Sequence, residues 1–316
     1  MLNLKDIKVK LPTLNLSLKK KELLGVEIDS DYIRVAVLRE DGEDLILEPA
    51  PFEIKNIDDI AQSIKRNLEL KDIKAKDAVF SLPISATLYK SIKLPKVSDK
   101  ELQDAVEWNI REDIKTLKGK TFYDYDVLNE EGDFLNVIVV IAKVDDLERL
   151  ENIASQAGLN LKIIDSAAIS LLNLALLQRD KYYPQEKNLS VLHIDENESN
   201  LLFSNNNLII QPLDFNIKHY KDLSPDEKEE EVLRLINEIN YFFLTITEPK
   251  IIFVSGLVGK YVEIREYMQF KFGQRFTVVD LDPRLSLNIK VDKDIPITVY
   301  NIPISLAYRG LTDDKD

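Results

Sequence analysis

The sequence predicts an α/β fold of two related lobes, because one strand–turn–strand pattern occurs twice and a further strand closes the second occurrence. Leu23-Leu24-Gly25-Val26-Glu27-Ile28 and Ile33-Arg34-Val35-Ala36-Val37 are the arms of a hairpin around the polar turn Asp29-Ser30-Asp31. A second run, Leu189-Ser190-Val191-Leu192-His193-Ile194, enters Asp195-Glu196-Asn197-Glu198-Ser199-Asn200 and leaves through Leu201-Leu202-Phe203. Ile251-Ile252-Phe253-Val254-Ser255 then meets Gly256-Leu257. Near-continuous apolar runs without alternation mark strands covered on both faces. The runs at 23–28, 33–38, 78–82, 191–194 and 251–254 are therefore expected to be buried strands of two sheets, one per lobe.

Residues 1–21 read as a basic N-terminal tail, with Lys5, Lys8, Lys10, Lys19, Lys20 and Lys21 against the single acid Asp6. Apolar residues alternate at Leu2 and Leu4 and again at Leu14, Leu16 and Leu18, and Pro12 breaks the segment. The tail is either a frayed end or an arm that touches anionic lipid or adds an edge strand to a partner.

Residues 22–92 and 160–187 form the first lobe. After the hairpin come a short strand region at 45–54, a helix at 57–70 and strands at 77–82 and 88–94, the last ending at Pro95. The chain returns as a strand at 161–164 and a helix at 167–177, with Tyr182-Tyr183-Pro184 as a hinge.

Residues 93–159 read as an inserted α+β unit. Ser98-Asp99-Lys100-Glu101 is a capping box, and Leu102, Ala105, Val106 and Ile110 then make one helical stripe. Strands at 122–128 and 134–142 flank the turn Asn129-Glu130-Glu131-Gly132-Asp133. A helix at 144–157 turns Leu147, Leu150, Ile153 and Ala154 inward and stops at Gly158, the residue type that takes a left-handed helix end most easily.

Residues 188–316 form the second lobe. Ser224-Pro225-Asp226-Glu227 is a helix start, with Ser as cap, Pro in the first turn and Glu three residues after the cap. Val232, Leu235, Ile236, Ile239, Phe242 and Phe243 carry its apolar stripe.

Composition removes several functions. With no Cys there is no disulfide, thiolate metal site or Cys nucleophile, and His193 and His219 alone cannot build a histidine-rich metal site. A net charge of −13 speaks against nucleic acid, whose phosphates need a clustered basic face. No run reaches the ~20 apolar residues of a membrane span, and no signal peptide opens the chain. The expectation is a soluble, cytoplasmic protein.

Hairpins in this arrangement occur in sugar-kinase and actin-type ATPases, where Asp-x-Gly followed by Ser or Thr cradles a nucleotide phosphate on backbone N–H groups. Here the glycine positions hold Asp29 and Asp195, and the metal-orienting aspartate of the second loop is His193. Glu27, Asp29, Ser30, His193, Asp195 and Gly256 thus outline a degenerate nucleotide cleft. Asp29 and Asp195, facing each other across it, would repel a triphosphate, so ATP and Mg²⁺ are disfavoured and no cofactor is expected. The two carboxylates could hold a divalent cation or do acid–base work, or could simply accept local backbone N–H bonds as turn residues. His193 reads as a hydrogen-bonded core histidine.

The order of these pieces resembles the PilM family of bacterial type IV pilus assembly proteins. The resemblance covers residues 22–311 and is carried by Glu101-Leu102-Gln103-Asp104-Ala105-Val106-Glu107-Trp108, by Phe122-Tyr123-Asp124-Tyr125-Asp126-Val127-Leu128, and by Ile302-Pro303-Ile304-Ser305-Leu306-Ala307-Tyr308-Arg309-Gly310-Leu311. It implies a two-lobed actin-like ATPase (ribonuclease H-like) fold with an inserted α+β subdomain. It also implies a cytoplasmic scaffold beside the inner membrane that grips the N-terminal cytoplasmic peptide of a PilN-type protein in a groove between the first lobe and the inserted unit. The family has Gly at Asp29 and Asp195 and Gly-Gly at Gly256-Leu257. Its longer segment before the helix at Ser224 is shortened here, giving a reduced upper subdomain. These departures gather at the nucleotide cleft and point to a protein that is not an active ATPase. The rival readings are an ATP-binding member whose nucleotide state gates the partner, a sugar-kinase-like enzyme, and the cytoplasmic domain of the GspL type.

Trp108, Tyr123 and Tyr125 are the partner-binding candidates. Tyr123 and Tyr125 alternate with Asp124 and Asp126, which is strand patterning first and an aromatic face second. Trp108 lies roughly 135° from the centre of its helix's apolar stripe, by the 100°-per-residue rule. It is either a second core contact or an exposed anchor.

Overall fold

The computed structural model describes residues 21–313 except Glu43 and Asn56. The tail reading for residues 1–20 lies outside the described residues. The chain opens with strands β1 (Glu22–Ile28), β2 (Tyr32–Asp41), β3 (Asp44–Leu47) and β4 (Phe52–Lys55), then helix α1 (Ile60–Leu70) and strand β5 (Asp77–Leu82). The next elements are β6 (Thr87–Pro95), α2 (Asp99–Thr116), β7 (Thr121–Glu131), β8 (Phe134–Lys143) and α3 (Val144–Ala157). They lead into β9 (Asn160–Ser166), α4 (Ala167–Tyr182), β10 (Leu189–Ile194), β11 (Ser199–Ser204) and β12 (Leu208–Leu213). The remainder is α5 (Ile217–Tyr220), α6 (Pro225–Phe243), β13 (Ile251–Gly256), α7 (Val262–Phe272), β14 (Thr277–Asp280), α8 (Pro283–Leu287), β15 (Ile289–Lys290) and α9 (Asn301–Thr312).

Two sheets repeat one plan. The first runs β15-β3-β2-β1-β5-β9, with β4 also paired to β2, and the second runs β12-β11-β10-β13-β14. In each, an antiparallel meander (β1-β2-β3, β10-β11-β12) stands beside two parallel strands. The predicted runs occupy β1, β2, β5, β10 and β13, and all of them are buried. A third sheet, β6-β8-β7, carries α2 on one face.

The helix starts follow the sequence chemistry. The backbone N–H of Ser98 donates to Glu101 at 3.0 Å, and that of Ser224 to Glu227 at 2.9 Å. The first helix begins three residues later than its pattern suggests, because the Asp59 side chain caps it by accepting from the Gln62 N–H. Helix α4 runs through Tyr182 and is capped at Tyr183, so the 182–184 segment is the end of that helix.

Helix α9 closes the molecule. It lies within the 188–316 span read as the second lobe, yet packs across β1, β2 and β5 of the first. Gly25 makes the approach achievable: a Cβ there would stand 1.7 Å from the Pro303 carbonyl oxygen and 2.8 Å from the Ala307 nitrogen. One apolar core therefore runs from Leu23 and Val79 to the strands of the second lobe.

Candidate functional site

The turns of the two hairpins meet in the cleft between the lobes, and an arginine lies between them. Arg34 is the third residue of β2, where its neighbours Ile33 and Val35 are fully buried, and its own side chain is 0 % exposed. Buried charge must be paired. Arg34 Nη1 donates to Asp195 Oδ2 at 2.5 Å and Nη2 to Oδ1 at 2.8 Å, while Nε donates to Glu53 Oε2 at 2.8 Å. Its guanidinium also stacks 3.8 Å from the Tyr32 ring centre. The Tyr32 hydroxyl donates to Asp195 Oδ2 at 3.0 Å and reaches Glu27 Oε1 at 3.3 Å.

This network sorts the two acids of the cleft. Burial opposes ionisation of Asp195, but the Arg34 guanidinium overrides it and holds the carboxyl far below the usual carboxylate range. Glu27 lacks such a partner: Arg34 Nη1 is 3.7 Å away and Oε2 accepts no hydrogen bond. Burial pushes the Glu27 carboxyl up to about 7, with the neighbouring Arg34 only partly opposing it.

Each residue foreseen at this cleft has a structural place. Asp29 Oδ1 accepts from the Asn197 side-chain amide at 2.7 Å across the cleft, and from the Ser30 hydroxyl at 3.0 Å. Asn197 also donates to Ser30 Oγ at 3.2 Å. His193 Nδ1 lies 3.2 Å from Ser255 Oγ, and Nε2 lies 3.5 Å from Asp195 Oδ2. Gly256 has φ +84°, and a Cβ on it would stand 2.2 Å from the Ile194 carbonyl oxygen. Its glycine is thus accounted for by strand packing.

Two expectations need correcting. Asp195 does not present a bare carboxylate to the cleft, since both of its oxygens are held by Arg34. The turn-residue reading is also too local: Asp195 does accept the Glu196 N–H at 2.7 Å, but its main partner is 161 positions away.

ATP with Mg²⁺ does not fit these residues. Glu27, His193 and Asp195 bring ligand atoms within 4.8 Å of one another, but a guanidinium already claims Asp195. The cavity among Glu27, Asp29, Tyr32, His193, Asp195 and Glu198 holds about 20 Å³, roughly the room of one water. The sequence reading missed Arg34, Tyr32, Glu53 and Asn197. Arg34 carried a signal, because a cation inside an otherwise apolar strand demands a buried acid.

The partner-binding candidates lie on the inserted unit, Trp108 on α2 and Tyr123 and Tyr125 on β7. Trp108 is 73 % exposed with the Arg111 guanidinium 5.8 Å from its ring centre, so it is not a core contact. Tyr123 and Tyr125 are half-buried against the stripe of α2. The alternate residues of β7, Asp124 and Asp126, turn towards the first lobe and feel the charge of Arg309 on α9. Burial pushes Asp126 up to about 6, and its Oδ2 accepts no hydrogen bond among the described residues. Among the described residues no helix is long and apolar enough to cross a membrane.

A sequence model of the family described as Type IV pilus assembly protein PilM matches residues 25–210. No curated protein matches the chain by sequence. Among solved structures, the PilM-PilN type IV pilus biogenesis complex is similar at TM-score 0.75 and 16% identity, over 93% of this chain and 99% of that one. The (R)-2-hydroxyglutaryl-CoA dehydratase component A of Acidaminococcus fermentans is similar at TM-score 0.50 and 10% identity, over 93% and 99% of the two chains. These likenesses show the fold, which is two-lobed and actin-like.

Proposed function

Because the chain belongs to the PilM family of type IV pilus assembly proteins, we propose that it is a non-hydrolysing scaffold of the pilus assembly machinery, kept in its two-lobed form by an internal ion pair instead of a nucleotide. The observation that carries this reading is the Arg34–Asp195 pair. In an ATPase of this fold, metal and phosphates bridge the two hairpins. Here a guanidinium supplied by the chain bridges them, and little space is left beside it. Exclusion by occupied space replaces exclusion by repulsion.

The partner is the N-terminal cytoplasmic peptide of a PilN-like inner-membrane protein, which brings the scaffold to the cytoplasmic face of that membrane. The groove between the first lobe and the inserted subdomain is the seat of the peptide, with Asp124 and Asp126 on one wall. Acids there suit a peptide whose membrane-flanking end is basic.

The test is a polarisation titration of that peptide with and without Mg–ATP, beside calorimetry of Mg–ATP alone. We expect peptide binding of equal affinity in both titrations and no nucleotide heat up to millimolar ATP. Micromolar ATP binding, or an affinity that changes with nucleotide, would replace the scaffold reading with the gated one.

A further inference from the structure

A cavity of about 200 Å³ lies where three parts of the chain meet, and it shares no lining residue with the cleft. Leu128 and Ile138 of the inserted sheet, Leu172 and Leu176 of α4, and Leu189 and Leu208 of the second lobe give it apolar walls. Arg179 and Lys187 line it too, and none of its lining residues is an acid. The chain as a whole leans the other way, with 55 acids against 42 lysines and arginines. Ile138, Leu172, Leu189 and Leu208 are buried, whereas Lys187 is exposed. The cavity is therefore apolar inside and cationic at its mouth.

Hydrogen bonds fix its walls. The Leu208 N–H donates to Ser91 Oγ at 2.8 Å and Asn129 Nδ2 to Asn206 Oδ1 at 3.2 Å, which pins the β11–β12 turn to the inserted sheet. Arg179 Nη1 donates to the Lys187 carbonyl at 3.3 Å, while its Nε and Nη2 donate to Asp180 at 3.0 and 2.6 Å. Asp180 thus offsets the charge of Arg179. Lys187 Nζ has no hydrogen bond or ion pair among the described residues, so it is the cation left to meet a ligand. Native interiors keep few voids larger than a water. Walls of Leu and Ile offer water few partners, and an apolar group that displaces such water gains affinity.

We propose that this cavity binds a small anionic amphiphile, an acyl chain of about six to eight carbons lying in the apolar interior with its carboxylate at Lys187. Size sets the chain: an apolar cavity of ~150 Å³ takes a molecule as large as benzene, and this one is somewhat larger. Sign sets the head, since the mouth holds a free cation and no acid. The occupant touches the inserted sheet, α4 and the second lobe at once, so binding favours the folded arrangement of all three by mass action. None of these residues belongs to the cleft network or to the acidic wall of the peptide groove, so the cavity is open to a ligand whatever the chain's partner is.

The experiment titrates the full chain with octanoate by calorimetry and follows its thermal melt, with octylamine as the control of opposite charge. We expect octanoate to bind with a Kd on the order of 1 mM or below and to raise the melting temperature. Octylamine should bind about fivefold more weakly, the scale of one exposed ion pair. Lys187→Glu, at an exposed position, should keep the fold and lose that preference. Leu172→Phe, which fills the cavity, should abolish octanoate binding. The melt reports whether that variant folds, and Lys187→Glu decides the matter if it does not. Absence of binding at millimolar octanoate overturns the proposal. So does equal binding of octylamine by the parent chain, which would reduce the effect to apolar partition. Unchanged binding in a folded Leu172→Phe places octanoate elsewhere and overturns it too. Displacement of octanoate by a saturating partner peptide would give the cavity to the peptide and overturn the small-molecule assignment.

Discussion

Arg34 and Asp195 form a bidentate ion pair, at 2.5 and 2.8 Å, that joins the first lobe to the second from inside the cleft. The geometry is that of a fork on a carboxylate, in which planarity fixes orientation as well as charge. Within the first lobe, Glu53 takes the Nε donor and Tyr32 lies against the face of the guanidinium, while Nη1 and Nη2 turn to Asp195. The lobes are therefore tied from inside the cleft, between the turns of the two hairpins.

Replacing Arg34 by Met should lower stability by about 3–5 kcal/mol, the cost of leaving buried carboxylates without their cation. Urea denaturation reads this directly. The double variant Arg34→Met with Asp195→Leu should regain much of the loss, because an apolar pair of similar volume often replaces a buried ion pair without penalty. Arg34→Lys should not, since one ammonium cannot serve both oxygens and Glu53. A loss below about 1 kcal/mol for Arg34→Met would show that the pair does not hold the lobes.

The cleft also sets a pH dependence. Glu27 in the folded chain keeps its proton up to about pH 7. In the unfolded chain it has released that proton by then, so stability falls as pH rises from roughly 4.5 to 7, by about 3 kcal/mol in total for this group. Asp195 acts in the opposite sense: its carboxyl is held low, so its contribution is lost as pH falls below the ordinary carboxylate range. Asp126, raised to about 6, titrates in the Glu27 window as well, so the difference between variants is the measure. Glu27→Gln should flatten the decline between pH 5 and 7. An unchanged slope would mean that Glu27 is already ionised in the folded protein.

What could be read from the sequence was what is local. The hairpin arms of β1, β2, β10 and β11 show as apolar runs, and the capping boxes at Ser98 and Ser224 mark α2 and α6 to within a residue. Helix α9 was visible only as a stretch of family-like sequence. It is buried on almost every side between lobes, so it has no polar face and no stripe to read. The ion pair was hidden for another reason. Arg34 announces in sequence that it needs an acid, but nothing local says that Asp195, 161 positions away, is the one. Asp29 and Asp195 look equivalent in their turns, and only the fold shows that one meets an arginine and the other an asparagine.

Gly25→Ala should destabilise the protein by about 3 kcal/mol or more, at the upper end of overpacking costs. The new methyl would collide with backbone atoms of Pro303 and Ala307, and α9 cannot retreat without opening the core. Gly310→Ala offers a comparison on the same helix face. Its methyl would meet the side-chain carbons of Val79 and Leu23 at 2.8–2.9 Å, which yield more readily than backbone. The smaller loss in a thermal melt should therefore belong to Gly310→Ala. The reverse order would mean that α9 does not lie against β1 as described.

Trp108 separates stability from binding. At 73 % exposure it contributes little to the core, so Trp108→Ala should leave the melting free energy within about 0.5 kcal/mol of the parent. On the scaffold reading the same change should weaken the partner peptide by about 2 kcal/mol, the scale of a tryptophan anchor. The ring stands on the solvent side of α2, whereas Tyr123 and Tyr125 pack under its stripe. A peptide seated only along β7 would touch the tyrosines and miss the tryptophan. Tyr125→Ala is therefore the companion variant: it should cost both stability and affinity. Unchanged affinity in Trp108→Ala alongside a loss in Tyr125→Ala would confine the peptide to the strand edge and remove Trp108 from the interface.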